Sequence, residues 1–360
     1  MNDLLNIIPN PDPLPVASGW FSFLSYLTYF LHLLGVGIMF GIALFAVMGH
    51  IRGRKDENWK LFGSRMSKTL PFTIAFAVNL GVAPLLFIQV LYGNFFYTAS
   101  IVIGIPWLML VLLLIAGYYS AYYIVFKKES SPRKKSLLAV AVTVILGWIA
   151  FMLVNVNTLM MVPARWKAYF SSLNGMNLNL SEATLWPRFI FYIFLFIAIG
   201  GVFTALFYKI KNKEKEANLG FNFAAAVSGY FALLAVPAFV YFVLTLPAEI
   251  KKVLFGGSVF WLGLVVVFLL LLLLTGFLNF KKKIVGAALL FTAGLVIFVF
   301  IRNFIRGLYL KPFAEKFSVV SGNTQYGVMA LFFVVLAAGL VLIAYLLVRT
   351  ARETRSAGSQ

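Results

Sequence analysis

Cysteine is missing from all 360 residues. That absence removes disulfides, zinc–thiolate centres, iron–sulfur clusters and covalently attached c-type haem from the chemistry open to the chain. Carboxylates are scarce as well, eleven against thirty Lys and Arg. Asp3, Asp12, Asp56, Glu57, Glu129, Glu182, Glu214, Glu216, Glu249, Glu315 and Glu353 all fall in tails, loops or the ends of apolar runs. No acid is therefore placed inside an apolar segment to carry a proton relay, which weighs against an energised transporter. Histidine occurs twice, at His32 and His50, so any iron ligand must be one of these or a methionine. The first eighteen residues have neither a basic region nor a small-residue cleavage site, and they read as a short proline-rich tail rather than a removable leader. No internal repeat is visible.

What is there is apolar. Hydrophobic residues make up 62% of the chain and charged ones 11%, with a mean hydropathy of +0.95, where soluble proteins carry about 25% charged residues. The chain is expected to be an all-α integral membrane protein. Its net charge of +19 does not point to nucleic acid, because the Lys and Arg residues sit in short loops between apolar runs instead of on one folded face. Nine spans are expected, at about 19–48, 69–92, 98–126, 136–163, 186–210, 219–246, 253–280, 284–302 and 327–349. Short connections make them one polytopic domain, 19–349, between an outer tail, 1–18, and a cytoplasmic tail, 350–360. Counted on alternate sides, 21 Lys and Arg fall on one side and nine on the other. The excess marks the cytoplasmic side, which puts the N-terminus outside and the C-terminus inside.

His32 lies in the first span, in FLHLLGVGIMFG, beside Gly35, Gly37 and Gly41. A neutral imidazole is a usual iron ligand, and glycines let a flat macrocycle or a second helix come close. Haem ligation and plain helix packing both fit that pattern. His50, among basic residues, is expected to be solvated or at the headgroups. The second span carries Asn79, Gly81, Pro84 and Gln89, a kinked segment of the kind that lines cavities or is merely tolerated. Tyr118, Tyr119, Tyr122 and Tyr123 form an interfacial belt, whose alternative use is a quinone headgroup pocket. Asn155, Asn157 and Thr158 offer helix-to-helix bonds. Arg302 and Arg306, four residues apart, share one helix face, suited to a haem propionate, a quinone oxygen, lipid phosphate or carboxylates of a partner.

The order of these features resembles subunit I of the cytochrome bd-type quinol oxidases. The resemblance rests on the His32 helix, on a basic loop followed by FGSRMSKTLPFTIAFAVNLGVAPLLFIQVLYG, and on LVNVNTLMMVPARW leading to PRFIFYIFLFIAIGG. It covers about the first 210 residues. It implies a nine-helix bundle with an outside N-terminus, and it matches His32 to the family's first-helix haem-ligating histidine. Gln89 stands where that family has a haem-site glutamate, and Phe191 where it has a histidine for the low-spin haem. The span 253–280 holds no methionine for that haem's other ligand, and LPAEIKK replaces the long quinol-binding loop. The resemblance thus implies a membrane-embedded subunit of a bacterial respiratory electron-transfer complex in the cytoplasmic membrane. It would carry at most one haem b, at His32, beside partner cytochromes or an oxidase-like paralogue and in contact with lipid or quinone. A permease or channel, and a purely structural anchor, are the competing expectations.

Overall fold

The computed structural model describes residues 2–127, 131–211 and 215–357. Glu129, Glu214 and the last three residues of the 350–360 tail lie outside the described residues. In chain order the α-helices are α1 (Asn2–Ile7), α2 (Ser18–Arg52), α3 (Glu57–Val102), α4 (Gly104–Phe126), α5 (Pro132–Met161) and α6 (Ala168–Ser171). They continue as α7 (Leu185–Ile210), α8 (Ala217–Leu244), α9 (Ala248–Lys252), α10 (Val259–Phe280), α11 (Ile284–Leu310) and α12 (Tyr326–Ala357). Among the described residues nine of these are long and apolar enough to cross a bilayer, so the protein is an all-α, multi-pass membrane bundle.

Local chemistry sets the ends. Asp56 caps α3 by accepting hydrogen bonds from the backbone N–H groups of Asn58, at 2.8 Å, and Trp59, at 3.3 Å. Ser131 caps α5, with Pro132 at its first turn. With 46 residues, α3 is about 70 Å long at 1.5 Å per residue, more than twice the hydrocarbon thickness. It runs straight through the connection expected near 93–97, bends at Tyr92, and turns into α4 over the single residue Ile103. The seventh span also differs. Residues 248–257 form α9 and a wide helical turn, and the spanning helix begins only at Val259. The eighth extends to Leu310 because Arg302 and Arg306, which look like a charged boundary in the sequence, lie on its helical face.

Small residues bring the backbones together. α2 packs on α3, α5, α7 and α11. A Cβ on Gly37 would overlap the side chain of Ile199, and one on Gly41 would strike the backbone of Gly200, so α2 and α7 touch main chain to main chain. Gly49 meets Gly63 on α3 in the same way, and Gly201 lies against Ser228 of α8. At the end of the bundle that bears the N-terminus, Ile8, Phe95, Phe96, Trp166, Leu310 and Phe313 make a second, smaller core. The N-terminal segment is tied there: Leu14 exchanges backbone hydrogen bonds of 2.7 Å with Val319 and Ser321. At the opposite end an ion pair joins Arg65 of α3, one-third exposed, to the buried Glu216 at the start of α8. α12 leaves its whole apolar window exposed.

Candidate functional site

His32 sits in the seam between α2 and α3, not in the centre of the bundle. Its Nδ1 lies 3.0 Å from the carbonyl of Ala77, an acceptor, which makes Nδ1 the protonated nitrogen. The ring rests against Gly81, where a Cβ would come 2.7 Å from Cε1 and 3.4 Å from Nε2. The space that the neighbouring glycines promised is filled by helix packing. Gly35 faces Leu80 and Ala77, Gly37 faces Ile199, and Gly41 faces Gly200. Gln89 is eight residues beyond Gly81, about 12 Å farther along α3, and the structure does not bring it to His32. Among the described residues no three His, Asp or Glu side chains gather into a metal-binding group.

Phe191 is buried in a cluster drawn from four helices. Its ring centroid lies 5.1 Å from Phe239 and 5.1 Å from Phe298, while Phe268 lies 4.9 Å from Phe239 and 5.5 Å from Phe298. Such offset and edge-on contacts fill a protein interior at close-packed density. A macrocycle has no slot here; at His32 the ring edge carrying Cε1 and Nδ1 faces Gly81, and Nε2 is the nitrogen left for a ligand. The residues around Phe191 do not fit a haem.

The polar centre of the bundle adjoins this cluster, toward the N-terminal end between α5, α7, α8 and α11. Arg302 donates from Nη2 to Asn157 Oδ1 at 2.9 Å, and its guanidinium lies 4.1 Å from the centroid of the Tyr29 ring. The Tyr29 and Tyr192 hydroxyls are hydrogen-bonded at 2.9 Å. Arg306, 4% exposed, lies 5.3 Å from the Tyr92 ring centroid. Arg188 enters from the first turn of α7, its guanidinium 4.8 Å from the Phe242 ring. These arginines line one cavity of about 20 Å³. Both members of the Arg302/Arg306 pair therefore face inward, away from lipid headgroups.

The remaining polar residues do structural work. Asn155 Oδ1 accepts from the backbone of Asn179 at 3.2 Å and Thr158 Oγ1 meets Asn179 Nδ2 at 3.4 Å, pinning the 172–184 loop to α5. His50 is only partly exposed, and its Nε2 lies 2.7 Å from Ser67 Oγ, beside the Gly49–Gly63 contact. Tyr119 is exposed, Tyr122 stacks on Phe126, and Lys134 donates to Tyr123 Oη at 2.7 Å, as in an interfacial belt. Tyr118 and Tyr119 also border, with Asn79, a shallow groove between α3 and α4 of about 380 Å³. Arg188, Tyr29 and Tyr192 were not singled out from the sequence. The signal for Arg188 is faint, since at the start of an apolar run it reads like a charge that ends a loop.

Fold and site together define, among the described residues, a membrane bundle of nine long apolar helices with an aromatic interior and a buried cationic pocket near one end. No protein-family model and no curated protein matches the sequence. Among solved structures, the bd oxidase from Geobacillus thermodenitrificans superposes with a TM-score of 0.68, covering 93% of this chain and 98% of that chain at 14% sequence identity. The chain has the fold of a bd oxidase chain over nearly its whole length.

Proposed function

We propose that this protein is a non-catalytic, membrane-embedded subunit of a bacterial respiratory electron-transfer complex, built on the bd oxidase fold and paired with partner subunits that carry the haems. What supports this is one conjunction. The fold agrees with a bd oxidase chain nearly end to end, yet the interior at Phe191 is closed by four phenylalanines. A permease is disfavoured by the same closed interior, and by acids confined to tails, loops and helix ends. The nine-versus-21 division of Lys and Arg supports an N-terminal end outside the cytoplasm and residence in the cytoplasmic membrane.

The test is purification of the tagged chain from its native membranes in mild detergent, with identification of whatever travels with it. A haem-bearing membrane or multihaem partner in fixed stoichiometry is the expected outcome. Recovery of the chain alone, fully folded, under conditions that keep other respiratory complexes whole, overturns the proposal.

A further inference from the structure

Arg188 is more than nine-tenths buried, and its Nε and Nη2 have no hydrogen-bond partner. Its Nη1 reaches only the sulfur of Met161, at 3.9 Å. A guanidinium stays charged under all ordinary conditions. Two unsatisfied nitrogens, with three N–H groups between them, on a buried charge within an apolar bundle are among the costliest features a fold can keep. The cost grows because Arg302 and Arg306 line the same cavity, and among the described residues no carboxylate bonds to any of the three. Glu182 acts on Arg188 from farther away and is engaged by Thr184, at 3.4 Å, and Arg165, at 3.9 Å. The Tyr29 and Phe242 rings offset part of the charge. The C-terminal ends of α5, α8 and α11 lie at this end of the bundle, but none of their carbonyls reaches Arg188 Nε or Nη2.

What the arrangement lacks is an anion, and the cavity sets its size. About 20 Å³ holds roughly one water-sized occupant. Phosphate and sulfate carry four oxygens, whose hydrogen-bonding demand the free Nε and Nη2 of Arg188 in a mostly apolar lining cannot meet, whereas a halide needs few donors. We propose that the cavity binds one small monovalent anion of the halide class, held by Nε and Nη2 of Arg188 with the charges of Arg302 and Arg306 behind it. This site does not depend on the respiratory reading above.

Thermal unfolding of the intact protein in detergent, in gluconate buffer with chloride or bromide added at constant ionic strength, tests it. Halide is expected to raise the Tm saturably by about 2–4 °C, and sulfate to have no such effect. Bromide diffused into crystals is expected to give an anomalous peak in the cavity. Arg188→Gln should abolish the halide shift, and Arg188→Lys should weaken it while keeping the charge. Should Arg188→Gln not fold, the wild-type halide series and the bromide peak decide the question. Identical curves in chloride and gluconate, or a full halide shift in Arg188→Gln, overturn the site and leave water as the occupant.

Discussion

The imidazole of His32 occupies the space that a side chain at Gly81 would need: a Cβ there would lie 2.7 Å from Cε1. The two residues are complementary across the α2–α3 seam. Gly81→Ala should therefore cost about 1–3 kcal/mol by overpacking, against the gain of about 1 kcal/mol that alanine brings to a helix interior. In a His32→Ala background the clash is gone, and Gly81→Ala should become neutral or stabilising. The check is a double-mutant cycle by unfolding in detergent, with an interaction energy of at least about 1 kcal/mol. Additive effects contradict the packing role of His32.

At the α2–α7 crossing the backbones of Gly41 and Gly200 touch, so neither position has room for a methyl group. Gly41→Ala should lower the Tm and reduce recovery of folded protein, with a cost of about 2 kcal/mol or more because backbone, not a flexible side-chain end, must move. Gly19→Ala, where nothing lies within 4 Å of a new Cβ, is the matched control and should behave as wild type.

The Arg65–Glu216 pair should show the asymmetry of buried charges. Glu216 is 4% and Arg65 33% exposed, so Arg65→Met takes the bonded cation away from a carboxylate that is almost wholly out of water. A loss on the order of 2–3 kcal/mol is expected. Arg65→Met with Glu216→Leu should recover most of it, measured by the same unfolding assay. Equal destabilisation by the single and double changes contradicts this account.

Because the chain has no cysteine, single introduced thiols report sidedness cleanly. Asn174→Cys, in the 172–184 loop, should react with a membrane-impermeant maleimide added to intact cells. Asn58→Cys, at the start of α3, should react only after permeabilisation. The reverse pattern contradicts the orientation drawn from the basic residues.

These outcomes bear on features of unequal legibility. The nine spans were readable because twenty-residue apolar runs have one solution in a bilayer, and the glycines near His32 were readable as positions of close approach, by a second helix or by a flat macrocycle. Which partner each glycine meets was not, since Gly41 finds Gly200 only through the tertiary fold. Arg302 and Arg306 ended the eighth span in the sequence because charge ordinarily marks a boundary. In the structure Asn157 and the tyrosine rings accept them inside the helix packing. Arg188 stands at the start of an apolar run, where in the sequence it is indistinguishable from a charge that ends a loop. His50 was placed in water by its basic neighbours, while Ser67, seventeen residues on, gives it a partner that sequence distance hides.

The most direct test of a subunit with no haem of its own is a reduced-minus-oxidised spectrum with pyridine-haemochrome quantitation on the purified complex and on the chain after dissociation, beside a His32→Ala variant. The b-type signal should be present in the complex, should stay with the partner subunits on dissociation, and should be the same in the variant. A stoichiometric b-type signal that follows this chain and disappears with His32→Ala would contradict the account and make His32 an iron ligand.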